Sequence, residues 1–260
     1  MPSTYAHYRF GLAMLENFPA DSRRTIQRFR RLFEVGLHGP DIFYYQLPGL
    51  NRATSFLGIK FHEQTGQEFF QRVCRGIRME KSEAAQAYLY GVLCHYCLDS
   101  VCEPYMKEQC DAEGVTSLQL ETEFDRFLLE TDGKVPACSQ DLSPHLKLTP
   151  GEWETVAKFY PPATPRMVKD SLNNMMFVLK LLATPEGARR AALSKGVKIL
   201  GKDFAGAVMG SSPDPKCAHM TEGILEKYRE AEDRFPAMLT QIQALMTYNA
   251  PLDEYFAVTF

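Results

Sequence analysis

Long apolar runs are missing from this chain: no stretch reaches the roughly 18 uninterrupted apolar residues that a bilayer-spanning helix needs. A secretory leader is missing too, because His7 and Arg9 stand where its apolar core would begin in Met1–Phe10 (MPSTYAHYRF). Charge of one sign is scarce. The 29 basic and 32 acidic residues leave a formal net charge of −3, so there is no general electrostatic reason to hold nucleic acid or an anionic membrane. Alternating apolar–polar runs long enough to build a sheet are absent, as are internal repeats and low-complexity tracts. Paired cysteines are also lacking. The seven cysteines are odd in number, and Cys94, Cys97, Cys102 and Cys110 crowd into one apparent helix. That is a poor disulfide framework and a reasonable set of free thiols, which points to a reducing, cytoplasmic location. Cys94 and Cys97 form a lone CxxC without the second pair of a thiolate zinc site, so they read as small buried apolar side chains.

What is present is an ordinary globular composition, 45% hydrophobic and 23% charged over 260 residues, ample for one core. Phe18-Pro19-Ala20-Asp21 reads as a turn and cap before a helical pattern over Arg23–Val35. Phe69, Phe70, Val73 and Ile77 continue the helical spacing, and Ala84–Cys102 is apolar nearly all round, as a central buried helix would be. Leu118–Leu129 is amphipathic, and Met167–Leu182 and Ile224–Met246 are two further long helical patterns. Proline and glycine predict irregular connections at Gly36–Gly58, about Asp132–Gly151, Pro161–Pro165 and Gly210–Pro215. The reading is all-α: one helical domain over residues 1–260, with the chemistry in its N-terminal half.

Metal-capable residues mark that half. Four of the six histidines (His7, His38, His62 and His95) fall in the first 95 residues. His95 and Asp99, in HYCLD, are four apart, which puts both on one helix face with β-carbons roughly 5–6 Å apart. Their neighbours Leu93, Cys94, Leu98 and Val101 are apolar, and a buried carboxylate needs a cation or a donor. On spacing alone, a His–Asp hydrogen bond inside the core is the commoner answer and a shared metal the alternative. His7 among Tyr5, Tyr8 and Phe10, Asp41 in GLHGPDIFYY, and His62, taken as the start of a helical pattern, complete an N/O set that suits zinc. Arg23, Arg24, Arg28, Arg30 and Arg31 cluster, yet Asp21 and Glu34 flank them, as on a solvated helix face rather than a nucleic-acid stripe.

YAHYRFG, GLHGPDIFYY, FHEQ, AYLYGVLCHYCLDS and ETEFDRFLLE, in that order, resemble the bacterial zinc-dependent phospholipase C family, distantly related to zinc-dependent single-strand nucleases. The resemblance covers roughly residues 1–135, and residues 136–260 form a helical remainder without a usable motif. It implies a multi-helix fold with the metal site between helices and one to three zinc ions. One site would use Asp41, His62, His95 and Asp99. Asp99 would bridge to a second ion held by His7, and His38 would support from just outside. A third family site uses two histidines and a glutamate. Glu121 matches the glutamate, whereas Glu103 and Ser117 stand at the histidine positions. The activity implied is hydrolysis of a phosphodiester, such as a phospholipid headgroup, by zinc-activated water, with Asp41 doubling as a base. The alternative is a weakened or inactive member that binds metal and a partner. Tyr5, Tyr8, Phe43, Tyr44, Tyr45, Phe61 and Tyr105 are candidates either to line a cleft or to fill the core.

Overall fold

The computed structural model describes residues 4–45, 52–200 and 206–260. Among these it contains eleven α-helices joined by short 3-10 turns and no strand. They are α1 (Thr4–Ala13), α2 (Ala20–Arg28), α3 (Arg30–Gly36), α4 (Arg52–His62), α5 (Gly66–Glu80) and α6 (Glu83–Glu113). The rest are α7 (Ser117–Thr131), α8 (Pro150–Ala157), α9 (Pro165–Leu182), α10 (Ala188–Leu200) and α11 (Thr221–Tyr248). No helix is long and apolar enough to cross a membrane among the described residues.

The central helix predicted over Ala84–Cys102 is α6, and it runs a further three turns. The Ser82 hydroxyl accepts from Ala85 N to start it, and Gly114 ends it in the left-handed conformation at φ 65°. Being apolar nearly all round, α6 is buried over Ala85–Cys102 except at the partly exposed Gln86 and Ser100, and α3, α11, α1, α2, α5, α7 and α8 pack around it. Tyr88, Tyr90 and Tyr96 are essentially fully buried there. Each such aromatic contributes on the order of 1.5–3 kcal/mol by area removed from water. α3 meets α6 through backbone rather than side chains. A Cβ on Gly91 would lie 2.2 Å from Phe33 O, and one on Gly36 would lie 2.5 Å from Tyr88 O.

Several boundaries depart from the sequence reading. Arg23–Val35 is two helices, broken where Phe29 adopts φ −115° and ψ 40°. Gly36–Gly58 is not an irregular loop throughout: Gly39–Tyr44 is a 3-10 turn with Pro40 in its first turn, and α4 begins at Arg52. Pro48-Gly49, within that stretch, lies outside the described residues. His62 ends α4 instead of beginning a helix, and α5 starts at Gly66 behind a capping box formed by Thr65 and Glu68. The Asp132–Gly151 break holds two 3-10 turns, Ala137–Ser139 and Pro144–Leu146. The arginine cluster is a paired surface: Arg24 meets Asp21, Arg28 meets Glu83, Arg30 meets Glu34 and Arg31 meets Glu152. All seven cysteines are buried and unpaired, and Cys97 Sγ is 3.4 Å from Ala231 O.

Helix α1 is seated by a residue with no local signature. The buried Asp125 carboxylate, on α7, accepts from Tyr5 N and Ala6 N, both at 2.8 Å, at the positive end of α1. The Tyr5 hydroxyl and the Arg9 guanidinium both donate to Asp132, at 2.7 and 2.9 Å, clamping the same helix to the end of α7. Asp125→Ala removes two charge-assisted bonds and leaves buried N–H groups unmet, at a cost of about 2–4 kcal/mol. Denaturant unfolding checks this, and a loss below ~0.5 kcal/mol, the scale of an ordinary surface substitution, contradicts it.

Candidate metal centre

Three parts of the chain converge beside α6. α1 presents His7, the Gly39–Tyr44 turn presents Asp41, and α6 presents His95 and Asp99 one turn apart. One nitrogen or oxygen from each of these four lies within 4.8 Å of the others. His7 Nε2 is 3.2 Å from Asp99 Oδ1, and His95 Nε2 is 3.3 Å from Asp99 Oδ2. His7 Nε2 also lies 3.0 Å from His95 Nδ1. His62 approaches from the end of α4, its Nε2 2.9 Å from Asp41 Oδ1.

These atoms are near one another without being satisfied. Asp41 Oδ1, His62 Nε2, His95 Nε2, His7 Nδ1 and both Asp99 oxygens are buried and make no directed hydrogen bond. The short His62–Asp41 approach is therefore electrostatic. Each orphan of this kind costs about 1–3 kcal/mol, more for a charged group, and native proteins keep few of them. Five of these atoms, on Asp41, His62, His95 and Asp99, beside the His7 ring whose Nε2 faces Asp99, are the donor chemistry of a divalent cation site. His62 is already set in the tautomer such a site needs. Its Nδ1 donates to Gly58 O at 2.7 Å, so in the neutral ring Nε2 carries the lone pair, and the Tyr44 hydroxyl is 3.1 Å from the same Nδ1.

The protonation states follow from burial. Desolvation pushes His7 down to about 3 and holds His95 well below its ordinary value, so both rings are neutral at pH 7. Burial also raises Asp99 well above the carboxylate range, with Asp41, Glu103 and Glu121 adding like charge. Burial alone would raise Asp41 and lower His62. Their mutual attraction outweighs it, leaving Asp41 lowered and His62 raised.

Gly39 makes room for this arrangement. It has φ 46°, and a Cβ there would lie 2.3 Å from His95 Cδ2 and 2.7 Å from its Nε2. Glu103 and Glu121 are half-buried and stand outside the four-residue group, though both carboxylates act on Asp99. Burial raises Glu121 as well. Ser117 is exposed at the first position of α7. His38 is buried outside the group and pairs with His145, Nε2 to Nε2 at 2.6 Å, while Tyr8 stacks on His145 at 4.3 Å. Of the aromatic candidates, Tyr5, Phe43 and Phe61 are core, and Tyr44, 39% exposed, lies against His62. Sequence reasoning missed His145 and Asp125. His145 and Asp125 act through contacts more than 100 residues apart in the chain, for which no local pattern exists.

Residues 6–157 match the family model described as zinc dependent phospholipase C. No curated protein and no solved structure gives a significant match. The matched stretch is more than half of the chain, and the chain belongs to the zinc-dependent phospholipase C family.

Two outcomes follow for the metal-free protein. Folding favours the proton on Asp99 and on His62, so zinc uptake at this cluster is expected to release protons in a weakly buffered titration, with affinity falling as acidity rises. A binding event without proton release contradicts this. Asp99 is ionised in the unfolded chain but favours its proton when folded, so it costs stability increasingly as pH rises above the unfolded value near 4. Asp99→Asn removes that cost. The metal-free variant unfolds a few degrees above the metal-free parent at pH 7, a gain of ~1–2 kcal/mol, yet gains nothing from added zinc.

Proposed function

We propose that the chain, as a member of this family, hydrolyses a phosphodiester of the phospholipid-headgroup type at the Asp41–His62–His95–Asp99–His7 cluster. The observation that carries the reading is the convergence of buried, unsatisfied ligand atoms of Asp41, His62, His95 and Asp99 on the His7 ring, between α1, the Gly39–Tyr44 turn, α4 and α6. Family membership and this cluster support a metal-dependent hydrolase. The specific substrate and the residue roles are our reading.

Zinc, when bound, supplies Lewis acidity, which lowers the pKa of water and offsets charge on the phosphate oxygens. The chain's own residues do the rest. His7, His95 and His62 offer neutral nitrogens, kept so by burial or by a proton lost to solvent on metal uptake. Asp99, whose oxygens lie 3.2 Å from His7 Nε2 and 3.3 Å from His95 Nε2, would in our reading be shared between two sites. Asp41 stands at the partly open side, and in our reading orients the attacking water and takes its proton. Tyr44 flanks the entrance beside His62 and offers an aromatic face to a cationic headgroup. The buried, unpaired thiols fit a reducing compartment such as the cytosol.

A second reading, a metal-holding binding protein with weak or no turnover, is favoured by one observation. Ser117 is exposed at the start of α7 and cannot replace a buried histidine in a third site with Glu103 and Glu121.

Elemental analysis of protein purified without chelators is expected to find zinc, and a chromogenic phosphodiester should be turned over. Asp99→Ala should lose both metal and turnover, and Asp41→Asn should keep most of the metal while kcat falls ~10²–10⁴-fold. Unchanged activity and metal content in Asp99→Ala would sink the hydrolase reading. A large gain in rate on combining Glu103→His with Ser117→His would favour the weakened-member reading.

A further inference from the structure

Residues 249–260, which follow α11, lie well outside the family match at 6–157, yet they end against the metal cluster. The segment doubles back over the turn between α4 and α5. Gly66 N donates to Val258 O at 2.9 Å and Phe260 N donates to Gln64 O at 3.3 Å, with Thr65 and Thr259 forming a single antiparallel bridge. Gln64 is two residues beyond His62, so this pairing holds the chain where His62 leaves α4. The Tyr96 hydroxyl, one residue after His95, lies 3.0 Å from both Tyr255 O and Val258 O and donates to the pair. Phe256 stacks on the Tyr96 ring at 5.7 Å. Phe260 is buried among Phe69, Phe70 and Tyr96, and its ring lies 6.2 Å from the His95 imidazole, tilted by 31°.

We infer that residues 255–260 are a positioning strap for the metal centre, with Phe260 holding the His95 ring and the 64–66/258–260 pairing holding His62. This rests on the metal reading above and adds residues to it that the matched region does not contain. His95 makes no directed bond through Nε2, so its ring angle is set by the 3.0 Å hydrogen bond between its Nδ1 and His7 Nε2 and by what packs around it, the Gly39 backbone and Phe260 among them. Removing the Phe260 ring opens space beside an imidazole whose angle decides where its lone pair points. Zinc must then fix a ring that the protein no longer fixes, and affinity falls. Phe260 touches neither metal nor substrate in this account. It acts through His95.

The test is the zinc dissociation constant, measured by competition with a chromophoric chelator well below the unfolding temperature, together with the visible spectrum of the cobalt-substituted protein. Phe260→Ala is expected to bind zinc ~10–100-fold more weakly, the usual effect of losing a supporting residue behind a ligand, and to alter the cobalt spectrum. Phe260→Leu, which refills the space without the flat ring, should fall between. Tyr96→Phe keeps its ring and loses only the hydroxyl that grips Tyr255 and Val258. It should weaken zinc binding in the same direction, and it decides the matter if Phe260→Ala does not fold. Variants that lose thermal stability but keep zinc affinity within about twofold, with the parent's cobalt spectrum, overturn the strap and leave the metal centre standing. A parent that takes up no zinc overturns the metal reading and the strap with it.

Discussion

A carboxylate sits where water cannot reach it. Asp99 is fully buried on the central helix, and neither of its oxygens has a hydrogen-bond partner. A core of this composition has no internal reason to keep such a group, because an apolar side chain of similar size would be cheaper. The surroundings are therefore arranged about it. Two neutral imidazoles lie within 3.3 Å, and a second carboxylate is paired with a third imidazole nearby. Without a cation, burial favours the proton on Asp99 and disfavours one on His7 and His95, while Asp41 and His62 favour each other's charged forms. A divalent cation would replace those protons with one concentrated charge, so that metal affinity becomes part of folding stability.

Much of the scaffold follows from keeping that spot dry. α6 is apolar on all sides because helices surround it, and its i, i+4 spacing aims His95 and Asp99 into one gap. The other contributors arrive from short elements, each with its own anchor. α1 is seated by Asp125 and Asp132, the Gly39–Tyr44 turn follows directly on α3, and His62 is flanked by the Gly58 carbonyl and by the chain that pairs with residues 258–260. Precision at the cluster is thus spread over elements far apart in the chain.

The helical class was legible because its signal is periodic and local. α6, α7, α9 and α11 lie where apolar residues recur at helical spacing, with ends shifted by one to several residues. The break at Phe29 was not legible, since apolar periodicity runs on across it. α4 was hidden by the prolines and glycines ahead of it, which read as a long loop, and with it went the position of His62, which closes a helix. At the cluster, the His95–Asp99 spacing was readable from geometry. His7, Asp41 and His62 stood out through an ordered set of motifs, since each alone looks like a cap or a core polar residue. Asp125, His145 and Phe260 carry no such signal. An aspartate in an amphipathic helix, a histidine in a proline-rich turn and a phenylalanine in a tail acquire their roles only from partners that the fold brings to them.

The bare contact between Gly36 and Gly91 gives the centre a fixed bite. These two residues let α3 and α6 touch backbone to backbone, and the chain runs from Gly36 to Asp41 in five residues and from Gly91 to His95 in four. The contact acts as a pivot placed close to the jaws, with Asp41 on one arm and His95 with Asp99 on the other. A pivot made of side chains would yield as they changed rotamer, but one made of peptide groups has almost no compliance. A methyl group at either glycine would meet backbone atoms of the other helix and act as a wedge rather than fill a hole, forcing apart the arm that leads to Asp41 and the arm that carries His95 and Asp99.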